Sequence, residues 1–384
     1  MSSNRVVINP KLLTWARERS GLSRTTLTHR FPKLAAWEEG TLQPTLKQLE
    51  QFAHSVHVPI GYLFLPQPIE ETIPIPDFRT LSDRGVQRPS PDLLDTLYLC
   101  QQRQDWYRDY AQMHGLPRLD FIGSVTIARD PVDVATAIGQ QLRITSVDRQ
   151  QCATWTEALR QLITKAEEAG VMVMVSSIVG SNSHRKLKVK EFRGFALVDR
   201  LASLVFLNGV DSKAAQMFTL AHELAHLWLG ESGLSDTETG RLPGQTIERW
   251  CNTVAAELLM PIAATRADYQ ADQPLAAEVQ RLARWFKVST LVALRRLYDA
   301  GFISETELWQ NYCQEMERIE SHDRGGGGGD FYRTLEARTG KRFAKAVITN
   351  TLEGQTLFQD AFRLLCVKKS ATFYQAAREL KVIV

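Results

Sequence analysis

The sequence predicts an α+β, mainly helical fold, and three observations carry that prediction. Apolar residues recur at helical spacing along most of the 384-residue chain. Short β-rich runs at 170–175, 191–199 and 204–208 are grouped together near its middle, the size of a small sheet. Directly after them, residues 218–228 read as an apolar helix with two histidines four residues apart. With 44% hydrophobic residues there is ample material for packed cores, and at this length more than one domain is expected. No apolar run approaches the roughly 18 residues that span a bilayer, and the start Met1-Ser2-Ser3-Asn4-Arg5 lacks a signal-peptide core. A cytoplasmic protein without a membrane partner is expected. Five cysteines, none in CxxC spacing, argue for reduced thiols and against a cysteine-bound metal. A net charge of +3 is too small to argue for nucleic-acid binding.

Residues 1–66 form the first helical unit. Leu12, Leu13, Trp15 and Ala16 make a helical stripe, Gly21-Leu22-Ser23 is a turn ending in an N-cap, and Thr45 opens an amphipathic helix. Between them stand Leu34-Ala35-Ala36-Trp37-Glu38-Glu39-Gly40 and Gln43-Pro44-Thr45. This stretch resembles the Xre/Cro-type helix-turn-helix, which implies operator DNA as a partner. One departure matters. The segment from Ser23 to Trp37 is several residues short for two helices and a turn, and Pro32 interrupts it. A stunted recognition helix that serves only for packing or protein docking is the other reading.

Residues 67–125 read as an extended connector followed by a helix. Pro66-Gln67-Pro68 and Ile73-Pro74-Ile75-Pro76 mark the connector, and Leu93, Leu94, Leu97, Trp106 and Tyr107 are packing positions of a helix over 92–114. Residues 126–265 hold helices over 132–142 and 154–168, then the β-rich runs and the histidine helix. His184, in the polar stretch with Asn182 and Arg185, reads as a surface residue.

Within Phe218-Thr219-Leu220-Ala221-His222-Glu223-Leu224-Ala225-His226, the HExxH spacing stacks His222 and His226 on one helix face, so both imidazoles can reach one zinc ion. Glu223 is then the candidate general base, facing water. A third ligand is required, and Glu248 supplies it, with Asn252 four residues on to hydrogen-bond a ligand histidine. Glu257 is the rival. It lies nine residues beyond Glu248, and at about 100° per residue it falls on the opposite helix face.

FTLAHELAH, followed by Glu248-x-x-x-Asn252 and Val254-Ala255-Ala256-Glu257-Leu258-Leu259-Met260-Pro261, resembles the ImmA/IrrE family of metallopeptidases. The resemblance implies a zincin-like core in which the runs at 191–199 and 204–208 are sheet strands ahead of the active-site helix. It also implies an edge strand that aligns a substrate backbone by strand addition. Residues 266–324 form a further helical subdomain with a second helix-turn-helix-like pattern, whose Arg281, Arg284, Arg295 and Arg296 are candidate nucleic-acid contacts. Gly325 to Gly329 read as a short hinge, and 330–384 as a helical extension with ten Lys and Arg against five Asp and Glu. Such an extension is found in longer members of that family. It either packs on the body or docks a partner.

Two functions follow as expectations. One is a zinc-dependent endopeptidase acting on a regulatory protein, a repressor or toxin–antitoxin partner. The alternative is a DNA-binding regulator or antitoxin that binds a toxin, such as a PIN-type nuclease, with the peptidase fold structural or conditionally active. The intact HExxH and glutamate favour the enzyme.

Overall fold

The computed structural model describes residues 5–76, 89–235, 246–322 and 331–383. The five-glycine hinge expected at 325–329 lies outside them. The chain divides into two compact units, residues 1–74 with 84–95, and residues 75–83 with 96–384.

The first unit is built from α1 (Pro10–Ser20), α2 (Arg24–Arg30), α3 (Leu34–Glu38), α4 (Leu46–Ser55) and a 3-10 turn, Ile60–Phe64. Capping residues set the boundaries. Ser23 accepts from the Thr26 amide to start α2, and Thr45 forms a capping box with Gln48 to start α4. The chain leaves the helical conformation at Phe31, ahead of Pro32, which holds α2 to seven residues, and α3 has five. Leu12, Leu13, Leu34, Trp37, Leu49 and Phe52 fill its core.

The helix α5 (Pro91–Met113) leads into the second unit, followed by α6 (Pro131–Leu142), α7 (Ser146–Gln150) and α8 (Trp155–Glu168). The strands are β1 (Met172–Ser176), β2 (Ile178–Val179), β3 (Asn182–Lys186), β4 (Gly194–Leu197) and β5 (Leu204–Asn208). Then come α9 (Lys213–Leu229), β6 (Gly233–Ser235), α10 (Thr246–Leu259), α11 (Ile262–Asp268), α12 (Leu275–Phe286), α13 (Thr290–Asp299) and α14 (Glu305–His322). The last helices are α15 (Phe331–Thr339), α16 (Lys341–Leu352), α17 (Phe358–Leu365) and α18 (Ser370–Glu379).

The sheet runs β1-β5-β4-β6, with β1 parallel to β5 and the other pairs antiparallel, while β2 and β3 form a separate hairpin. This corrects one expectation. The strands at 191–199 and 204–208 are β4 and β5, and both are interior; β6, which no sequence pattern announced, takes the edge. Val173, Ala196, Val205 and Leu207 pack with α9 in one large core. Behind the sheet, Arg103 of α5 donates through Nη1 to the Met174 sulfur at 3.3 Å and to the Arg338 carbonyl at 3.0 Å, and through Nε to the Leu364 carbonyl at 3.0 Å. Phe343 lies edge-on to Trp106, and Arg342 donates to the Tyr107 hydroxyl at 2.8 Å. The C-terminal helices therefore pack on the second unit and complete its core. Among the described residues no helix is long and apolar enough to cross a membrane.

Candidate metal centre

The helix α9 is buried on every side from Gln216 to Trp228, as befits a helix held between a sheet and α10. Ser212 caps its start and Gly230, in the left-handed conformation, ends it one turn after His226. Helix α10 packs beside it and presents Glu248 and Asn252 from consecutive turns. Glu248 approaches His222 Nε2 at 3.2 Å through one oxygen and His226 Nε2 at 3.0 Å through the other. The two Nε2 atoms are 3.1 Å apart. One donor atom from each of these three buried residues thus falls within 4.8 Å of the others, and they form the sole cluster of this kind among the described residues.

Asn252 Oδ1 lies 2.9 Å from His222 Nδ1. As the acceptor there, it holds the proton on Nδ1 and leaves the Nε2 lone pair turned toward Glu248 and His226, the tautomer a metal ligand needs. Burial pulls the His222 pKa down, but the Glu248 carboxylate, aided by Glu223 and Asn252, overrides it and sets the imidazole above its ordinary value. Burial wins at His226, together with the charge of His222, and lowers it. Burial would raise Glu248, yet the two histidines hold its carboxyl well below the usual range. Cys251, three residues on, is pushed far up by burial and by the neighbouring glutamates, so it stays a thiol.

Glu223 is fully buried, shut off from bulk solvent. Its neighbour is β4. A Cβ built on Gly194 would stand 3.3 Å from Glu223 Oε1, 2.8 Å from the Phe206 carbonyl and 2.5 Å from Thr219 Cγ2. Only glycine lets the strand approach the carboxylate this closely. Gly194 is the site residue sequence reading missed; nothing but a Gly inside a strand pattern could have marked it.

With this geometry in place, the comparison with known proteins bears directly on it. Residues 166–298 match the IrrE N-terminal-like domain, a peptidase family model. The matched segment runs from the end of α8 through α13 and includes His222, Glu223, His226, Glu248 and Asn252, so this part of the chain is similar to a peptidase domain, which supports a metallopeptidase-type function. A second model, a domain of unknown function (DUF8813), matches residues 339–379 within the C-terminal helices. No curated protein matches the chain.

The other sequence candidates lie elsewhere. Glu257 is bound to Arg296 and accepts from the Ile262 amide at 3.1 Å, away from the histidines. Arg296 is buried, with Nε on the Met260 carbonyl at 2.8 Å. This corrects its expected place on a solvated, phosphate-facing side. Arg281 is paired with Glu278 at 2.7 Å, Arg295 with Asp299 at 3.1 Å, and Arg284 is exposed, so the four arginines do not form one basic face. His184 is exposed on β3.

Proposed function

We propose that this chain is a zinc-dependent endopeptidase that cuts a regulatory protein, a repressor or a toxin–antitoxin partner. The observation that carries the reading is the convergence of His222, His226 and Glu248 with Glu223 on the adjacent helical direction, against the backbone of β4. Two imidazole nitrogens and a carboxylate suit zinc in a water-activating site with an open position. Zinc held there would supply Lewis acidity to a peptide carbonyl and make water more acidic. Asn252 keeps His222 in the ligating tautomer. Glu223 removes the proton of the attacking water and returns it to the departing amine, and its buried setting excludes competing solvent. The choice of a regulatory substrate rests on the resemblance to the ImmA/IrrE metallopeptidases and on the fused N-terminal helices.

Metal analysis and a cleavage assay on the product of a neighbouring gene test the reading. The protein binds one zinc per chain, and His222→Ala/His226→Ala binds none. Glu223→Gln keeps its zinc and loses cleavage by at least about 100-fold. Zinc retained by the double histidine variant, or undiminished cleavage by Glu223→Gln, overturns it.

A further inference from the structure

The small net charge of the chain conceals an uneven distribution. Between residues 169 and 198 stand Arg185, Lys186, Lys188, Lys190 and Arg193 against a single acid, Glu191. Local structure sets the lysines outside. In the β2–β3 hairpin Ile178 pairs with Lys186 and Val179 with Asn182, and Gly180 turns the chain at φ 55°. From His184 to Lys190 exposure alternates: His184, Lys186, Lys188 and Lys190 are exposed, while Arg185, Leu187 and Val189 are buried or half-buried. Leu187 is also held by its amide, which donates to the Ser177 carbonyl at 3.0 Å. Period two is that of an extended chain, so Lys186 and Lys188 stand roughly 7 Å apart on the side away from the core.

Tertiary packing brings a second basic stretch to the same hairpin. A Cβ on Gly180 would stand 3.5 Å from the Cys366 sulfur, and Arg338 of α15 donates to the Gly180 carbonyl at 3.4 Å. Just beyond Cys366, Lys368 and Lys369 are exposed in the loop between α17 and α18. Lys186, Lys188, Lys190, Lys368 and Lys369 therefore gather around one turn, and among the described residues none of the five is ion-paired. Glu191, the acid closest to them in sequence, is half-buried.

Like charges gathered without carboxylates between them make a positive local potential that an anionic partner relieves. The side chains select the kind of partner. Protein partners anchor on aromatic, methionine and arginine side chains, and lysine is depleted from their interfaces. Residues 180–190 contain no aromatic ring, and their Leu187 is buried. The same lack of rings leaves no platform there for unpaired bases. Lysines beside the exposed Ser181, Asn182 and Ser183 suit regularly spaced phosphates, which charge, hydroxyl and amide groups contact without reading bases. We infer that the β2–β3 hairpin and the α17–α18 loop together form a sequence-independent docking surface for the phosphate backbone of duplex DNA. It is made of residues outside the metal centre and goes beyond the peptidase reading.

The test is fluorescence anisotropy of the full chain with a fluorescein-labelled DNA duplex of mixed sequence, titrated at salt concentrations from about 50 to 200 mM. Lys186→Gln/Lys188→Gln lowers the slope of log K against log salt by about 1.8, so the affinity lost across that range shrinks by about tenfold. Lys368→Gln/Lys369→Gln, on the other element, does the same, and Lys186→Arg/Lys188→Arg keeps the original slope. Binding by the helices of the first unit is common to all these proteins and cancels from the comparison. An unchanged slope in either folded glutamine variant overturns the inference, as does the absence of duplex binding. Tighter binding of an RNA duplex or of polyglutamate would assign the surface to a different partner and overturns it too. Should one glutamine variant fail to fold, the other decides. Neither readout depends on zinc or cleavage.

Discussion

Glu248 and Glu257 occupy one helix nine residues apart and do opposite work. Glu248 faces the histidines, while Glu257 neutralises buried Arg296 and caps the start of α11. Removing Glu257 leaves a buried guanidinium with only the more distant Asp299 carboxylate, at 3.6 Å, as counter-charge. Glu257→Ala therefore lowers stability by about 3 kcal/mol in denaturant titration and leaves zinc stoichiometry unchanged. Loss of zinc in this variant would place the third ligand at the wrong glutamate. At Gly194 the constraint is steric. Gly194→Ala must push aside Thr219 or the Phe206 carbonyl, costing about 1–3 kcal/mol, and it moves the strand away from Glu223. Reduced cleavage with normal zinc content is the expected signature; wild-type stability would refute the packing argument. His222, His226, Glu248 and Asn252 were legible in the sequence because spacing of four residues on a helix is local geometry. The burial of Glu223 and Arg296 was not, because it depends on what the fold lays over them.

Among the elements, α3 shows what a short helix gives up. Its sequence, Leu34-Ala35-Ala36-Trp37-Glu38, buries Leu34 and Trp37, and Glu38 pairs with Arg17 at 2.7 Å and Arg24 at 3.6 Å. It carries no basic residue and spans little more than one turn, too little to read several base pairs. Any DNA binding by residues 1–74 is then through phosphates alone, weak and sequence-independent, with log K falling by about 0.9 per contacted phosphate as log salt rises. A salt-insensitive, nanomolar operator complex would contradict this. The caps of α2 and α4 could be read from Ser23 and Thr45, since a cap is made with residues two or three positions away.

For the whole molecule, the C-terminal helices act as part of the second unit. Truncation after Gly329 removes the carbonyl partners of Arg103 and the Phe343 ring packed on Trp106, and exposes the β1 edge. The shortened protein melts roughly 10 °C or more earlier, the scale expected for losing several kcal/mol from a chain of this size. An unchanged melting temperature would make the extension a free docking arm instead. The same junction gives a pH dependence. Burial, opposed by the amides of Arg342 and Lys341, pushes the Glu167 carboxyl up from 4.5 to about 7. The folded protein keeps a proton between those values that the unfolded chain has released, so this contribution falls as pH rises from 4.5 to about 7 and levels off above. Glu167→Gln keeps an acceptor for the Arg342 amide and flattens the melting temperature over that window; an unaltered slope would assign the titration elsewhere. The sequence by itself determined the cluster of His222, His226 and Glu248, the partner of His222, the main helices and three of the strands, because each follows from spacing within a few turns or a short run. Tertiary structure alone decided which strand lies at the sheet edge and that the C-terminal helices close the other side. Those contacts join residues as far apart as Arg103 and Leu364, 261 positions, and no local pattern encodes such a pairing.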